Sequence, residues 1–357
     1  MMLSFIQTLT EAADASPRIP HPEDAIFDGI ADAQRYVTAL KEVIKNPGNI
    51  SIKWDGGIAL IFGYTPAGEF YINDKYMPEG YFARSPQDWE TYDTTMKKSR
   101  TARPELYPKI ATIWEGLKAD VVGKGTYKGD LMSVGKTPIV NGMYEFTPTT
   151  VKYRIPLKSP IGVLIANKVG VVVVHQANGA PWDGKTGLAN NGNVAVLNPT
   201  AGISFSLNDP VQLSGAATRA VTGSIGAAAE KFLTGLDGVA RAAIKKYFNH
   251  KITGQTKEEL IPWLEHGNIS AKQFKLLAGD EKAYLYTNAE GYEALRAVWN
   301  AIYAFKVNLA DQLESQVNGF EQWTGGQKAG EGFVVNTNSG LIKLVNRGVF
   351  GGAHFNK

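Results

Sequence analysis

Residues 50–64 read Ile-Ser-Ile-Lys-Trp-Asp-Gly-Gly-Ile-Ala-Leu-Ile-Phe-Gly-Tyr, so that two apolar runs flank the tetrapeptide Lys53-Trp54-Asp55-Gly56. β-Branched and aromatic residues are common in both runs, which is typical of strands, and the paired glycines favour a tight turn between them. An Asn-Pro-Gly-Asn turn signal at 46–49 precedes the first run. The segment therefore predicts strands over 50–54 and 58–64, with Lys53 at the end of the first.

Outward from this segment the chain alternates between strand-like and helical patterns. Strand-like runs occur at 69–72, 127–132, 143–146, 151–155, 162–165, 169–175 and 330–350. Helical periodicity occurs at 1–15, 31–44, 86–117, 211–222, 225–248, 257–265, 271–278 and 289–317. We expect an α+β fold, with an antiparallel-sheet core over residues 1–204 and 330–357 that is interrupted by a helical insertion over residues 205–329.

Composition excludes several classes of protein. The 357 residues include no cysteine, which rules out disulfide scaffolds, thiolate metal sites and cysteine nucleophiles. The longest apolar runs, such as Val169–Val174, are too short to cross a bilayer, and the N-terminus lacks the features of a signal peptide. We therefore expect a cytoplasmic protein without a membrane partner. The net charge of +3 permits contact with nucleic acid without arguing for it.

One glycine-rich segment matches a phosphate-binding pattern. Residues 179–186 satisfy the P-loop sequence, ending in Gly184-Lys185-Thr186, and they follow an apolar strand. A P-loop also needs a helix that begins at the lysine, because the helix N-terminus supplies N–H groups to the phosphates. The following Gly187-Leu-Ala-Asn-Asn-Gly192 is a poor helix former. A surface turn is the preferred interpretation, and a P-loop NTPase dependent on Lys185 is an alternative.

A second set of motifs lies in a fixed order along the chain. Its members are Lys53-Trp-Asp55-Gly56, Lys128-Gly129-Asp130-Leu, Glu331-Gly332-Phe-Val-Val and Ile342-Lys343-Leu-Val-Asn-Arg347. In this combination the chain resembles the covalent nucleotidyltransferase superfamily, which includes ATP-dependent DNA ligases, RNA ligases and mRNA-capping enzymes. With His21-Pro-Glu-Asp-Ala-Ile-Phe and Phe146-Thr-Pro-Thr-Thr added, it resembles most closely a family of uncharacterised bacteriophage proteins.

The resemblance implies a nucleotidyltransferase core of the ATP-grasp-like, ligase-adenylylation type, with ATP and Mg²⁺ as the groups bound. It assigns catalysis to Lys53, Asp55 and Lys343, nucleotide contacts to Gly56, Lys75, Asp130, Glu331 and Arg347, and metal binding to Asp130 and Glu331. An aromatic ring stacks on adenine in such enzymes, and Tyr144, Phe146 and Tyr153 are the candidates here. If the chain is encoded by a phage, the compartment is the host cytoplasm.

The chemistry of this superfamily begins with attack of a lysine amine on the α-phosphorus of ATP. A lysine of ordinary pKa is almost entirely protonated at pH 7, and only the neutral amine is a nucleophile. A neighbouring cation, such as Lys343 or Mg²⁺, disfavours the protonated amine and neutralises the phosphates. We therefore expect a polynucleotide ligase that adenylylates Lys53 and then joins 5′-phosphate to 3′-hydroxyl ends.

The chain departs from the superfamily pattern at three places. Gly57 and Ile58 follow Lys-x-Asp-Gly, where RNA ligases often have serine and DNA ligases usually have arginine in the second position. Val345 stands where a second lysine often follows the first, and only 14 residues follow Lys343, which leaves no room for a C-terminal OB domain. We expect RNA or mixed ends as substrate, with the helical insertion in place of that domain.

Other charged residues have less specific interpretations. The densest basic patch of the helical segment contains Arg241, Lys245, Lys246 and Lys251 and is a candidate nucleic-acid contact, with a solvated helix face as the alternative. His21-Pro22-Glu23-Asp24 is interpreted as a helix-entry turn, and His175 as a partly buried histidine that binds no ligand. A non-catalytic, nucleic-acid-binding or virion-associated protein with the same fold remains the alternative to a ligase.

Overall fold

The computed structural model describes residues 19–96, 103–200, 202–250, 252, 255, 258–260, 288–317, 319–324, 326–328 and 330–347. The helices expected over 1–15 and 271–278, and most of the one expected over 257–265, lie outside these residues. The helices are α1 (Ile30–Lys45), α2 (Pro86–Thr91), α3 (Tyr107–Asp120), α4 (Pro160–Ile165), α5 (Val211–Thr222), α6 (Ser224–Thr234), α7 (Gly238–His250) and α8 (Ala289–Glu314). A 3₁₀ helix spans Pro22–Asp28, and a π-helical turn spans Tyr92–Met96.

The strands confirm the expected α+β class. They are β1 (Ile50–Ile52), β2 (Ile58–Tyr64), β3 (Phe70–Asp74), β4 (Thr126–Val134), β5 (Ile139–Val140), β6 (Met143–Phe146), β7 (Lys152–Pro156), β8 (Gly170–Ala177), β9 (Ala180–Pro181), β10 (Val194–Leu197), β11 (Glu321–Thr324), β12 (Gln327–Lys328), β13 (Phe333–Thr337) and β14 (Gly340–Leu344).

The chain divides into two compact units. The first contains the described residues of 51–203 and 317–331, and the second contains those of 19–50, 204–316 and 332–347. This division differs from the expected one, because residues 19–50 and 332–347 lie with the helices of the second unit instead of with the larger sheets. The helical segment also ends earlier than expected, since 321–328 forms the β11–β12 hairpin of the first unit.

The first unit is built on two sheets. One has the strand order β10-β8-β4-β2-β3, with β9 paired to β8, and the other has the order β12-β11-β7-β6-β5. Neighbouring strands are antiparallel except β8 and β10, which run parallel. Helices α2 and α3 bury Trp89, Ile113 and Leu117 in one cluster with Leu60 and Val172 of the first sheet. One face of the first sheet therefore lies in this core. Side chains alternate between the two faces along each strand, so Asp130 lies on the opposite face.

Two elements of this unit differ from the sequence prediction. Residues 162–165 form the end of helix α4, because Ser159 accepts a hydrogen bond from the Gly162 amide and Pro160 occupies the first helical position. The Ser-Pro pair was the signal for a helix start. Strand β10 was missed among glycines and asparagines, although all four of its residues are buried beside β8.

The second unit is organised around α8. Its buried residues include Tyr292, Leu295, Trp299, Ile302 and Leu309, which follow the three-to-four-residue spacing of a single helix face. Among the described helices none combines the length and the apolar character that a bilayer crossing demands.

A group of buried charges in the second unit ties α8 to the 3₁₀ helix. Lys306 pairs with Glu23 at 2.5 Å, and both side chains are fully buried. Arg347 makes two hydrogen bonds to the Asp24 carboxylate, at 3.1 and 2.9 Å, and lies 3.1 Å from Glu23. Burial lowers the pKa of Lys306, and the Glu23 carboxylate opposes that shift. The expected helix-entry turn at His21–Asp24 is thus confirmed, and its acids fix the helix to its neighbours.

We expect Lys306→Met to destabilise the protein by about 3 kcal/mol, because it leaves the Arg347 guanidinium alone to balance two acids, Glu23 and Asp24. Chemical denaturation of this variant, beside the exposed-lysine control Lys231→Met, measures the effect. The control is expected to stay within about 0.5 kcal/mol of the unmodified protein. Equal stability of the two variants would contradict a buried charge pair at Lys306.

Candidate functional site

Lys53 lies in the turn that connects β1 to β2, and its ammonium group contacts a buried carboxylate. The Nζ of Lys53 forms a hydrogen-bonded ion pair with Glu331 Oε2, where the lysine side chain is 27% exposed and the glutamate 3%. Glu331 follows β12 and is the last residue of the first unit. Two residues that are distant in sequence, and that the sequence motifs had selected, are therefore in direct contact.

The buried side chain of Gln322 holds this pair in place. Its amide nitrogen donates to the Lys53 carbonyl at 3.0 Å, and its amide oxygen accepts from the Glu331 N–H at 2.9 Å. A single side chain on β11 thus joins the backbones of both partners. Sequence analysis missed Gln322, because nothing in the sequence marks the glutamine as buried beside Lys53.

Trp54 anchors the same turn in an aromatic stack. Its ring stacks on Phe320 at 4.8 Å and on Tyr153 at 5.1 Å between ring centroids, and Tyr153 stacks in turn on Phe146 at 5.5 Å. The Tyr153 ring is buried and stacks with both Trp54 and Phe146, which makes it the least accessible of the three candidate adenine platforms, Tyr144, Phe146 and Tyr153. The Tyr153 hydroxyl instead accepts a hydrogen bond from the Asp55 amide at 2.7 Å.

Gly56 allows the turn to lie against strand β4. A Cβ atom at this position would stand 2.3 Å from the Cβ of Asp130, which is closer than carbon atoms approach one another. Glycine is required at position 56 because there is no space for a side chain between the turn and Asp130. The same contact places Asp130 beside the Lys53 turn, as the sequence motifs had led us to expect.

Asp130 forms a pair with His175 on the adjacent strand. The Nε2 of His175 lies 2.9 Å from Asp130 Oδ2, and both side chains are partly exposed. Strand register places Asp130 opposite Val173, so that His175 lies on the same sheet face two residues further along β8. No sequence motif connects these two residues, and a partner for His175 could be found only once the strands were paired.

Three carboxylates gather around the Tyr153 hydroxyl. Burial raises the pKa of Tyr153 above its usual range, and the charges of Glu331, Asp55 and Asp130 raise it further. Each of these acids already has a polar partner, which for Asp55 is the hydroxyl of Thr149. The Lys53 turn is therefore surrounded by negative charge.

The two expected metal ligands, Asp130 and Glu331, lie in different environments. Within the described part of the chain, no group of three or more histidine, aspartate or glutamate residues is arranged to hold a metal ion. Mg²⁺ commonly takes only one or two carboxylates and completes its shell with water and substrate phosphates. The partly exposed Asp130 fits such a ligand, whereas Glu331 is buried and paired with Lys53.

Lys75 lies at the same end of the sheet as Asp130. It follows Asp74, which pairs with Leu60 of β2, and Asp130 pairs with the neighbouring Ala59. Two strand spacings, about 10 Å, therefore separate the two backbone positions. The Lys75 ammonium is exposed and lies 5.0 Å from the centre of the Tyr76 ring.

Lys343 and Arg347 belong to the second unit, and the first unit alone contains Lys53. Lys343 lies on β14 opposite Val334, and its backbone N–H donates to the Pro20 carbonyl at 3.1 Å. The guanidinium of Arg347 is engaged by buried acids of its own unit, which is a structural role that the sequence motifs did not indicate.

The basic patch lies on α7, except for Lys251, which is outside the described residues. Arg241 donates to the Leu236 carbonyl at 3.2 Å, and Lys246 is exposed. Lys245 lies 3.9 Å from an Asp28 carboxylate oxygen, which is beyond hydrogen-bonding distance.

The segment that matches the P-loop pattern is a capped turn. Asp183 Oδ1 accepts hydrogen bonds from the backbone N–H groups of Lys185 and Thr186, both at 2.8 Å. The Thr186 hydroxyl also donates to this carboxylate. That bond, followed by the two backbone bonds, lowers the pKa of Asp183 to about 2. Residues 187–193 form turns and bends in place of a helix. The amides that a P-loop presents to phosphate are therefore used by the protein itself, which favours the surface-turn interpretation.

We expect Gly56→Ala to destabilise the first unit by about 1–3 kcal/mol, because the new methyl group collides with Asp130. Gly123→Ala is the matched control, since a Cβ there meets nothing within 4 Å. Denaturation curves of both variants measure the difference. A Gly56→Ala protein as stable as the control would disprove the close approach.

We expect Gln322→Met to cost about 1–3 kcal/mol, because the substitution removes both hydrogen bonds and leaves the buried Glu331 amide unsatisfied. The exposed Gln87 supplies the control variant Gln87→Met, for which little change is expected. Thermal unfolding compares the two. If both variants melt together, Gln322 does not join Lys53 to Glu331.

Comparison with known proteins gives a family but no described relative. Neither the curated proteins nor the solved structures contain a match to the chain. One family model, described as a family of unknown function (DUF6267), matches residues 18–357. Since that match covers almost the whole sequence, the protein belongs to the DUF6267 family.

Proposed function

We propose that the protein is an ATP-dependent polynucleotide ligase of the covalent nucleotidyltransferase type, with Lys53 as the nucleophile. The observation that carries the proposal is the contact between the Lys53 ammonium and the buried Glu331, inside a turn that Asp55 and Asp130 adjoin. The ordered sequence motifs selected these four residues independently of any structure.

The pairing also suggests how the lysine amine becomes a nucleophile. Glu331 Oε2 is placed to accept a proton directly from Lys53 Nζ. The neutral amine then attacks the α-phosphorus of ATP, so that an N–P bond forms and the P–O bond to pyrophosphate breaks. The first proton stays on Glu331, and the second nitrogen proton, which is lost as the N–P bond forms, leaves with the pyrophosphate, which departs with the electron pair of the broken P–O bond.

The remaining residues position the groups that react. Gln322 and the Trp54 stack fix the backbone on both sides of Lys53, which limits the cost of ordering the nucleophile. Bound Mg²⁺ would neutralise charge on the triphosphate, and Asp130 is the carboxylate best exposed to hold it. The AMP group then passes to a 5′-phosphate end before a 3′-hydroxyl displaces it.

The test is covalent labelling with α-labelled ATP and Mg²⁺, read on a denaturing gel and by intact mass, after any bound AMP has been removed. Lys53→Arg is the decisive variant, because arginine keeps the charge that Glu331 needs but stays protonated and cannot attack. We expect an AMP adduct on the unmodified protein and none on Lys53→Arg.

Lys185→Arg serves as the control for the P-loop alternative and is expected to label normally, since Lys185 lies in the capped turn. ATP hydrolysis that is lost in Lys185→Arg, in a protein that forms no AMP adduct, would favour the alternative. An unmodified protein that forms no adduct would overturn the ligase proposal and favour a non-catalytic, nucleic-acid-binding role.

A further inference from the structure

The second unit contains a cavity of about 800 Å³ that the proposed chemistry at Lys53 does not use. Its walls come from the 3₁₀ helix, α1, α7 and the end of the chain after β14. This volume is within the range of pockets that hold small ligands. Three residues that sequence analysis had selected for different reasons, Lys245, Lys343 and Arg347, line it together.

Positive charge reaches the cavity from three separate elements. Arg35 comes from α1, Lys245 from α7, and Lys343 with Arg347 from β14 and the segment after it. The cavity also contains three aspartates, of which two are hydrogen-bonded to lining cations, and the third, Asp28, forms an ion pair with Lys245 at 3.9 Å. Asp24 binds Arg347, and Asp32 binds Arg35 at 2.5 Å.

Donor groups are available on the α7 wall. At 3.9 Å from Asp28, the Lys245 ammonium makes no hydrogen bond within the described residues. One turn further, Asn249 Oδ1 accepts from Arg347 at 2.8 Å, which leaves the amide nitrogen of Asn249 as a donor. Behind both, Arg347 is held rigidly by Asp24, so that this part of the cavity is preorganised.

We infer that this cavity binds a terminal phosphate monoester. An ammonium and a side-chain amide beside a fixed guanidinium are donors suited to the oxygens of a phosphate, whose charge distinguishes it from a hydroxyl. The phosphate has two possible sources, the 5′-phosphorylated end of a nucleic acid and a free mononucleotide. The inference does not depend on adenylylation of Lys53.

The experiment measures binding without ATP or Mg²⁺ at one fixed salt concentration, because phosphate contacts weaken with salt. A labelled oligonucleotide with a 5′-phosphate is compared with the same oligonucleotide ending in a 5′-hydroxyl, and AMP is compared with adenosine. The variants are Lys245→Ala, the charge-retaining Lys245→Arg, and Lys45→Ala, which removes an exposed lysine of α1 that does not line the cavity.

We expect the unmodified protein to prefer at least one phosphorylated ligand by about tenfold, which is the effect of one good charge-assisted hydrogen bond. Lys245→Ala should bring that preference close to one, while Lys45→Ala and Lys245→Arg retain most of it. The ligand pair that shows the preference identifies the source of the phosphate.

Equal binding of the phosphorylated and unphosphorylated forms of both ligands would overturn the inference, as would equal losses in Lys245→Ala and Lys45→Ala. Because the assay contains no ATP, failure to form an adduct at Lys53 leaves this result unaffected. The two proposals therefore fail separately.

Discussion

The ion pair between Lys53 and Glu331 is the constraint on which the arrangement of the first unit depends. A buried carboxylate is stable only beside a cation, and Glu331 is buried, so Lys53 must be delivered to it with little freedom of position. Gln322 joins the two backbones, and the ring stack at Trp54 fixes the residue after the lysine. Strands of both sheets hold Lys53 beside Glu331.

Charge is used differently in the two units. Around Lys53 the carboxylates outnumber the cations, and Asp130 is partly exposed whereas Glu331 is buried. In the second unit, Glu23, Asp24, Lys306 and Arg347 match one another in number and are buried, which suits a structural role. Sequence motifs alone do not distinguish a lysine or arginine of a candidate site from one in a buried structural ion pair, because the motif contains the same residue type in both cases.

Much of the local structure was predictable from the residues. The pattern at 58–64 predicted β2 with its observed limits, and the alanine-rich periodicity at 211–222 predicted α5 in the same way. Errors arose where one signal was outweighed by another: Ser159-Pro160 starts a helix in a stretch of strand-forming residues, and β10 lies among glycines and asparagines. The helix is started by its own sequence neighbours, Ser159 and Pro160, whereas β10 is stabilised by β8, its neighbour in space.

The sequence by itself determined the α+β class, the residues of the Lys53 turn and the acids that adjoin it, because periodicity, turn chemistry and ordered motifs are local properties of a chain. Only the tertiary structure decided which distant residues meet. It brought Glu331 to Lys53, His175 to Asp130 and Gln322 to both partners of the ion pair, and it placed Arg347 in a buried cluster. Strand pairing and burial make these contacts, and neither is encoded in any one segment.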